Sequence, residues 1–415
     1  SCYGQEKFET PNIDRLAQNG MRFTQCYSGT TVSAPSRSCL ITGTHSGHTA
    51  IRGNKELAPE GQFPLPENSQ TIFNDFRNAG YRTGAFGKWG LGYIGSAGDP
   101  YKQGIDQFYG YNCQLLAHSY YPDHLWDNDK RVDLPDNNLD EAAKEKDQPF
   151  FMWYPTIIPH AELIVPEDSI IKKFRGKYPE KPYRGVEPGS PAFRKGGYCT
   201  QFYPHATFAA MVYRLDVYVG QIVQKLKDMG VYDNTIIIFS SDNGPHMEGG
   251  ADPDFFNSNG IWRGYKRDVY EGGIRVPMII SWPGHVQPST ETDFMCSFWD
   301  LMPTFREVLN PKADTRNMDG VSILPLLQNR KGQKEHEYLY FEFLEMNGRQ
   351  AVRKGDWKLV HMNIRGNKPY YELYNLASDP SEKYNVLNQY PEKADELKAI
   401  MKEAHIEDSN WPLFR

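Results

Sequence analysis

Along the chain, short helical stripes alternate with apolar runs that break abruptly into polar residues. Thr10, Pro11 and Gly20 bracket NIDRLAQN as a helix, because threonine caps, proline suits a first turn and glycine suits an end. MRFTQCY, which follows, reads as a strand. The unit recurs: TIFNDFRNAG is predicted helical with Gly80 at its end, and YRTGAFGKWG is a strand running into a glycine-rich loop. PFFMWYPT, TIIIFSSDNG and VPMIISWPG are predicted strands, and WDLMPTFREVL another helix. The longest helix repeats Phe208, Met211, Leu215, Val219, Ile222 and Leu226 at helical spacing, so this stripe is predicted core.

Alternation of strands and helices over residues 1–330 predicts an α/β domain whose large, mostly parallel sheet is sandwiched by helices. From residue 331 the texture changes. HEYLYFEF, RQAVRKGDWKLVHM and PYYELYNL predict short antiparallel strands with a turn at Gly355, and PEKADELKAIMKEAHIE predicts a closing helix. Residues 331–415 are therefore expected to form a smaller α+β domain built on an antiparallel sheet. KRVDLPDNNLDEAAKEKDQPFF is charged and weakly periodic, which predicts a trimmed or disordered connection.

At 415 residues the chain can build both units. Its 46 basic and 52 acidic residues leave a net charge of -6, which excludes a general polyanion binder such as a nucleic-acid coat, so an anion site has to be local. Glycine (36), proline (29) and 13% aromatics suit a loop-rich enzyme with a polar, aromatic-lined cleft. Six scattered cysteines without a CxxC pair or Cys/His ligand spacing argue against structural zinc and leave room for a disulfide. With no run of ~18 apolar residues and no opening signal peptide, no transmembrane segment is expected.

Candidate chemistry begins at SAPSRSCLITG, residues 33–43. Alone, Ser33 reads as a helix cap ahead of Pro35, and Arg37 as a solvated side chain. The stretch also resembles the formylglycine signature of the sulfatases, in which Cys or Ser is followed by x-P-S-R and, after a short apolar turn, by T-G; Leu40, Thr42 and Gly43 match that second half. GYRTGAFGKWGLG (80–92) resembles the family's second signature, FFMWYPTIIPHAEL its histidine after a strand, FSSDNGP its metal-binding strand end, and YKRDVYEGGIRVP (265–277) its lysine-bearing loop. On these five stretches, in the family's order, the chain resembles the sulfatases of the alkaline phosphatase superfamily.

The resemblance implies an alkaline phosphatase-like fold and hydrolysis of sulfate esters, exo-acting on a sulfated carbohydrate. Ser33 would be oxidised to formylglycine, whose hydrate offers one hydroxyl to attack sulfur and a second to collapse and expel sulfate. A serine here resembles the bacterial enzymes served by radical maturases, so a maturation enzyme acting on Ser33 is an implied partner and the periplasm or secretion the implied location. Arg37 would hold the hydrate, Lys88 and Lys266 would neutralise sulfate oxygens, and His160 would protonate the leaving alcohol.

Asp242 and Asn243, with Ser33, are the implied metal ligands; their oxygens suit one Ca2+, or Mg2+, rather than a dizinc site. The family's further aspartate pair has no counterpart, and SCYGQ resembles the sequence just after it, so that strand is expected to precede Ser1. Where many sulfatases have GKWHLG this chain has Gly90, and His118 is the expected replacement base. His246, Glu248, Arg263 and Trp126 are expected substrate contacts, with Tyr120 and Tyr121 beside Trp126 for stacking on a sugar. Two other readings stand beside this one: a phosphatase or phosphodiesterase of the same superfamily with Ser33 as direct nucleophile, and a catalytically dead glycan-binding relative.

Overall fold

The computed structural model describes residues 1–118, 122, 124–133, 148–186 and 197–414. Strands β1 (Met21–Tyr27), β9 (Ile237–Ser240), β10 (Arg275–Ser281) and β11 (Thr290–Thr292) form one sheet in the order β11-β1-β10-β9, with β12 (Cys296–Ser297) pairing β1. A second sheet runs β7 (Lys130–Asp133), β6 (His124–Asp127), β5 (Gln107–Tyr111), β4 (Arg82–Lys88) and β8 (Phe150–Trp153). A two-residue hairpin joins β2 (Glu56–Leu57) to β3 (Gly61–Gln62). The helices are α1 (Pro11–Gln18), α2 (Ser33–Thr42), α3 (Ile72–Asn78), α4 (Gln114–Ala117), α5 (Ser169–Lys172), α6 (Pro204–Asp228), α7 (Pro253–Phe256), α8 (Glu271–Ile274), α9 (Leu301–Leu309), α10 (Leu324–Leu327) and α11 (Pro391–Ala404).

Period-two alternation along the strands distributes side chains to two helical layers. Ile279, Ile237 and Phe239 face α1 and α6 through Ile13, Leu16 and Val219. Met278, Ile280 and Ile238 face the opposite core, shared with Ile41 of α2, Phe73 and Phe76 of α3 and Phe305 of α9. Phe151 and Trp153 of β8 and Ala85 of β4 belong to that same core, so the two sheets lie over one apolar layer. The α/β sandwich is the expected architecture, but the pairing is mixed. β1–β10, β10–β9, β5–β6 and β6–β7 run antiparallel, while β4–β5, β4–β8 and β1–β11 run parallel. The physical reason lies in the connections: β9 returns to β10 through loops and the four-residue α7 and α8, and no long crossover helix enforces a parallel neighbour.

The apolar stripe of α6 is buried at Met211 and Leu226 and half-buried between them. Its fully buried polar residue, Asp216, does what the stripe does not show. Asp216 Oδ1 accepts the backbone N–H groups of Asn12 at 3.0 Å and Ile13 at 2.8 Å, so a carboxylate from α6 caps α1. Two of the expected features fall outside the description: residues 134–147 of the charged connection, and Tyr120 and Tyr121.

Strands β13 (Leu339–Phe343), β14 (Arg349–Lys354), β15 (Trp357–Met362) and β16 (Tyr370–Asn375) form an antiparallel meander covered by α11. Its other face packs through Leu339, Phe341, Phe343 and Val360 on Tyr27, Val32, Ile274 and Trp299, and a buried charge cluster lies beside this contact. Lys358 Nζ lies 2.9 Å from both Glu271 Oε1 and Glu382 Oε1, and all three side chains are fully buried. The Tyr27 hydroxyl donates to Glu271 Oε2 at 2.6 Å.

Burial pushes the Glu382 carboxyl up to about 7, with Lys358 opposing the shift and Glu271 adding to it. The folded protein thus binds this proton more tightly than the unfolded chain, whose glutamates titrate at about 4.3. The stability it confers is complete below that value and lost as pH rises through 7. Urea midpoints should accordingly fall between pH ~4.5 and ~7, and part of that slope should be missing in Glu382→Gln. An identical slope in the variant would refute the assignment.

Candidate active site

Four loop ends meet above the sheets, and backbone hydrogen bonds staple them together. α2 begins at Ser33 after Val32, so Ser33 is the first helical residue and its side chain makes no cap. One turn later, Arg37 is buried: Nε donates to Ser33 O at 3.1 Å and Nη1 to Lys88 O at 2.6 Å and to Trp89 O. This fastens α2 to the end of β4, where Lys88 N–H in turn donates to Pro155 O of the β8 loop at 2.9 Å. Gly87 is required there, because a Cβ would stand 2.5 Å from Pro155 O at a φ of +126°.

After β9 come Asp242 and Asn243, and the Ser33 hydroxyl lies 3.5 Å from Asn243 Oδ1. Gly244 N–H donates to Gly273 O at 2.9 Å, Lys266 N–H to Pro245 O at 2.8 Å and Arg267 N–H to Thr31 O at 3.1 Å. The DNGP turn, the lysine loop and the entry to α2 are therefore one hydrogen-bonded unit. On the β8 side, His160 Nδ1–H donates to Ala161 O, which leaves Nε2 as the acceptor of Lys266 Nζ at 2.6 Å. The His160 ring stacks between His118, with centroids 5.1 Å apart, and His246, at 4.9 Å. Glu248 completes the wall: its carboxylate lies 3.3 Å from Lys266 Nζ and 3.1 Å from His246 Nδ1, and pairs with Arg267.

Electrostatics follow from packing cations together out of water. Burial, with Arg37 nearby, holds Lys88 well below the usual lysine range, and Lys266 is lowered by burial against the pull of Glu248. Burial brings Arg37 down to about 10 although Asp242 favours its charge. His118 is lowered to about 3 by burial and then by Lys88 and Lys266, and His160 is lowered by burial, Lys266 and Lys88. Glu248 is driven well below the carboxylate range, its hydrogen bond to His246 and the charge of Lys266 outweighing burial. Such a cluster of buried cations is preset for an anion.

The structure thus brings Ser33, Arg37, Lys88, His118, His160, Asp242, Asn243, His246, Glu248 and Lys266 into one connected site. It does not bring in Arg263 or Trp126. Arg263 lies 3.8 Å over the Tyr270 ring and donates to the Tyr374 hydroxyl and Glu382 O, so it locks the C-terminal sheet in place. Trp126 Nε1 donates to Glu60 and its ring packs on His124. Arg267 enters the site unforeseen, although its place beside Lys266 was a signal; Gln114, which comes to Gly90, had none.

Asp242, Asn243 and Ser33 offer hard oxygens only, which suits Ca2+ or Mg2+. They cover part of a shell of six to eight oxygens, so water, substrate oxygen or ligands from elsewhere must supply the rest. A nitrogen-containing cluster, His45, His48 and Asp319, lies beyond the other end of α2, roughly 15 Å along the helix from Ser33. Cys2, Cys26, Cys39 and Cys296 are free thiols.

Together, an α/β sandwich with a convergent cationic pocket and a hydroxyl at a helix start defines a hydrolase for anionic esters. A family profile described as Sulfatase matches residues 1–311, and one described as N-sulphoglucosamine sulphohydrolase, C-terminal, matches residues 260–409. The chain belongs to the sulfatase family and is a sulfuric ester hydrolase. It is 29% identical to the N-acetylgalactosamine-6-O-sulfatase of Bacteroides thetaiotaomicron, over 97% of this chain and 89% of that one. It is 27% identical to arylsulfatase A of Homo sapiens, over 98% and 84%. The solved structure of Ps i-CgsB in complex with k-i-k-neocarrahexaose superposes with a TM-score of 0.76 at 26% identity, over 97% of this chain and 89% of that one. Phosphonate monoester hydrolase of Agrobacterium radiobacter shares the fold at a TM-score of 0.63 and 19% identity, over 97% and 91%.

Because the Lys266 charge depresses His160, removing it should raise the imidazole pKa. In Lys266→Met, the His160 ring-proton NMR signal is expected to titrate at higher pH than in the parent. A midpoint at or below the parent's would show that burial alone sets it.

Proposed function

We propose that this sulfatase removes sulfate from the end of a sulfated carbohydrate chain, using formylglycine made from Ser33 and one hard divalent cation, Ca2+ or Mg2+. One observation carries the reading: the buried cations Lys88 and Lys266 gather at the helix start of Ser33, with His160 hydrogen-bonded to Lys266. The sugar is supported by the relatives, one named an N-acetylgalactosamine-6-O-sulfatase and one solved in complex with k-i-k-neocarrahexaose.

Formylglycine supplies, when formed, a hydrated aldehyde that can both attack sulfur and release it. The residues around position 33 fit it: Arg37 lies one turn below, with an Nη2 that has no partner, and Asn243 stands alongside. Asp242 and Asn243 would hold the cation, whose charge polarises the ester. Lys88 and Lys266 bind sulfate oxygens and carry the charge that builds in the transition state. Lys266 Nζ and His160 Nε2 share a proton along their 2.6 Å contact, and an arriving anion offsets the cationic field that keeps His160 neutral. His160 then holds that proton for the leaving alcohol. His118 and His246 fix the imidazole plane by stacking, while Glu248 orients Lys266, Arg267 and His246.

This reading places the protein in the periplasm or outside the cell, where sulfated glycans are met, and makes an enzyme that oxidises Ser33 its partner. No helix among the described residues is long and apolar enough to cross a membrane. Residues 1–330 and 331–415 serve as catalytic and supporting domains.

Ser33→Ala should abolish sulfate release with the fold intact, and a tryptic peptide spanning Ser33 in active protein should be about 2 Da lighter than encoded, the two hydrogens lost in oxidation to an aldehyde. Chelation should stop turnover, with Ca2+ or Mg2+ restoring it better than Zn2+; recovery by zinc alone would favour the phosphatase reading. Lys266→Ala should lower kcat/KM about a hundredfold or more. His160→Ala should hurt sugar sulfates more than activated aryl sulfates, which need no proton on leaving. Equal losses on both would remove the acid role.

A further inference from the structure

The loop that carries Gly90 is zipped to the segment leading into α4. Trp89 N–H donates to Tyr111 O at 2.8 Å and Gly90 N–H to Asn112 O at 3.0 Å, which brings Gln114 against Gly90. A Cβ on Gly90 would stand 3.0 Å from Arg37 Nη2 and 3.0 Å from Gln114 Nε2. Both nitrogens are buried donors without a hydrogen-bond partner, and their residues are 2% and 4% exposed. Burying a guanidinium N–H and an amide N–H unsatisfied is costly, and two of them aimed at one point call for a shared acceptor. Arg37 is one helical turn from Ser33, and its Nε donates to the Ser33 carbonyl, which ties this pair of donors to the residue at the helix start. His118, the expected substitute for an imidazole at position 90, is stacked on His160 instead.

We propose that Gln114 is a further catalytic residue: with Arg37 Nη2, its Nε2 donates to one oxygen borne by the residue 33 side chain, in the space where Gly90 has no side chain. The inference rests on the formylglycine reading above. The hydroxyl bearing that oxygen gives its proton to water, and the two donors stabilise the negative charge left on it; that charge then forms the C=O bond while the C–O bond to sulfate breaks and sulfate leaves with the pair, so the step needs no base at position 90. A glutamine cannot take a proton, and the fully buried Arg37 is paired here only with backbone carbonyls, leaving its charge available.

Gln114→Leu and Gln114→Met test this in the full chain, each matched to the parent in formylglycine content by peptide mass. With an aryl sulfate, kcat should fall about tenfold or more while KM stays within about twofold. The melting temperature should stay level or rise, because an unpaired buried donor has been removed; a structural glutamine would give a fall. The dissociation constant for inorganic sulfate, measured by calorimetry on unoxidised Ser33 protein, should stay within about twofold, because Lys88 and Lys266 bind it. An unchanged kcat, a lowered melting temperature in both variants, or sulfate binding weakened about tenfold would each overturn the assignment. Parent protein that carries formylglycine yet releases no sulfate would instead overturn the reading beneath it.

Discussion

Positive charge held out of water is the constraint on which this molecule turns. Arg37, Lys88 and Lys266 are each less than a tenth exposed, and burial pulls the charged form of every one of them down. For Arg37 the displacement to about 10 corresponds to roughly 3 kcal/mol held against the charged state. Such a cluster persists only because the backbone carbonyls of residues 33, 88 and 89 face Arg37, and because Asp242 and Glu248 supply negative charge at the rim. What is destabilising in the free protein is useful on binding, since a sulfate ester replaces the water these cations lack with oxygens that carry charge.

Holding the cluster requires rigid loops, and the architecture supplies them by stapling loop to loop. Three backbone bonds, Gly244 to Gly273, Lys266 to Pro245 and Arg267 to Thr31, join segments far apart in sequence. Arg267 itself adopts a left-handed φ of +79°, a strain accepted where its side chain reaches Glu248. Behind it, Arg349 Nη1 donates to Arg267 O at 2.9 Å, and Lys358 with Glu271 and Glu382 fills the seam below. The C-terminal meander thus reaches the lysine loop through polar contacts, set beside the apolar cluster in which Phe341, Phe343 and Val360 pack on Tyr27, Val32, Ile274 and Trp299.

Part of this was legible in the sequence because some of the chemistry sits where strands end: GKWG and DNGP each break an apolar run, and Lys88, Asp242 and Asn243 lie at those breaks. SAPSR and YKRD follow no apolar run, and only their resemblance to a known signature marked them. Strand direction was not legible, because four-residue apolar runs such as FFMW and IIFS look alike in either sense. Arg263 illustrates a different limit: its spacing from Lys266 is that of a site residue, yet Tyr270 beneath it and Tyr374 beside it turn it to the C-terminal sheet. Asp216 was hidden in the core stripe of α6, since a single buried carboxylate among apolar residues carries no periodic signal.

Gly90 shows how a loss at one position reshapes its surroundings without a visible trace in the pattern. A residue with φ of +63° and no side chain leaves space, and in a close-packed interior space beside charge is costly unless polar atoms use it. Here the neighbours turn donors toward it: Arg37 Nη2 and Gln114 Nε2, with Gln62, whose Oε1 accepts the Gln114 backbone N–H at 3.0 Å, held close behind. Position 90, where the resemblance leads one to expect a histidine, is in this chain the place where two donors meet. Donors and bases solve the same problem from opposite sides: a base removes the proton from an oxygen about to become an anion, whereas donors make the anion affordable once the proton is gone.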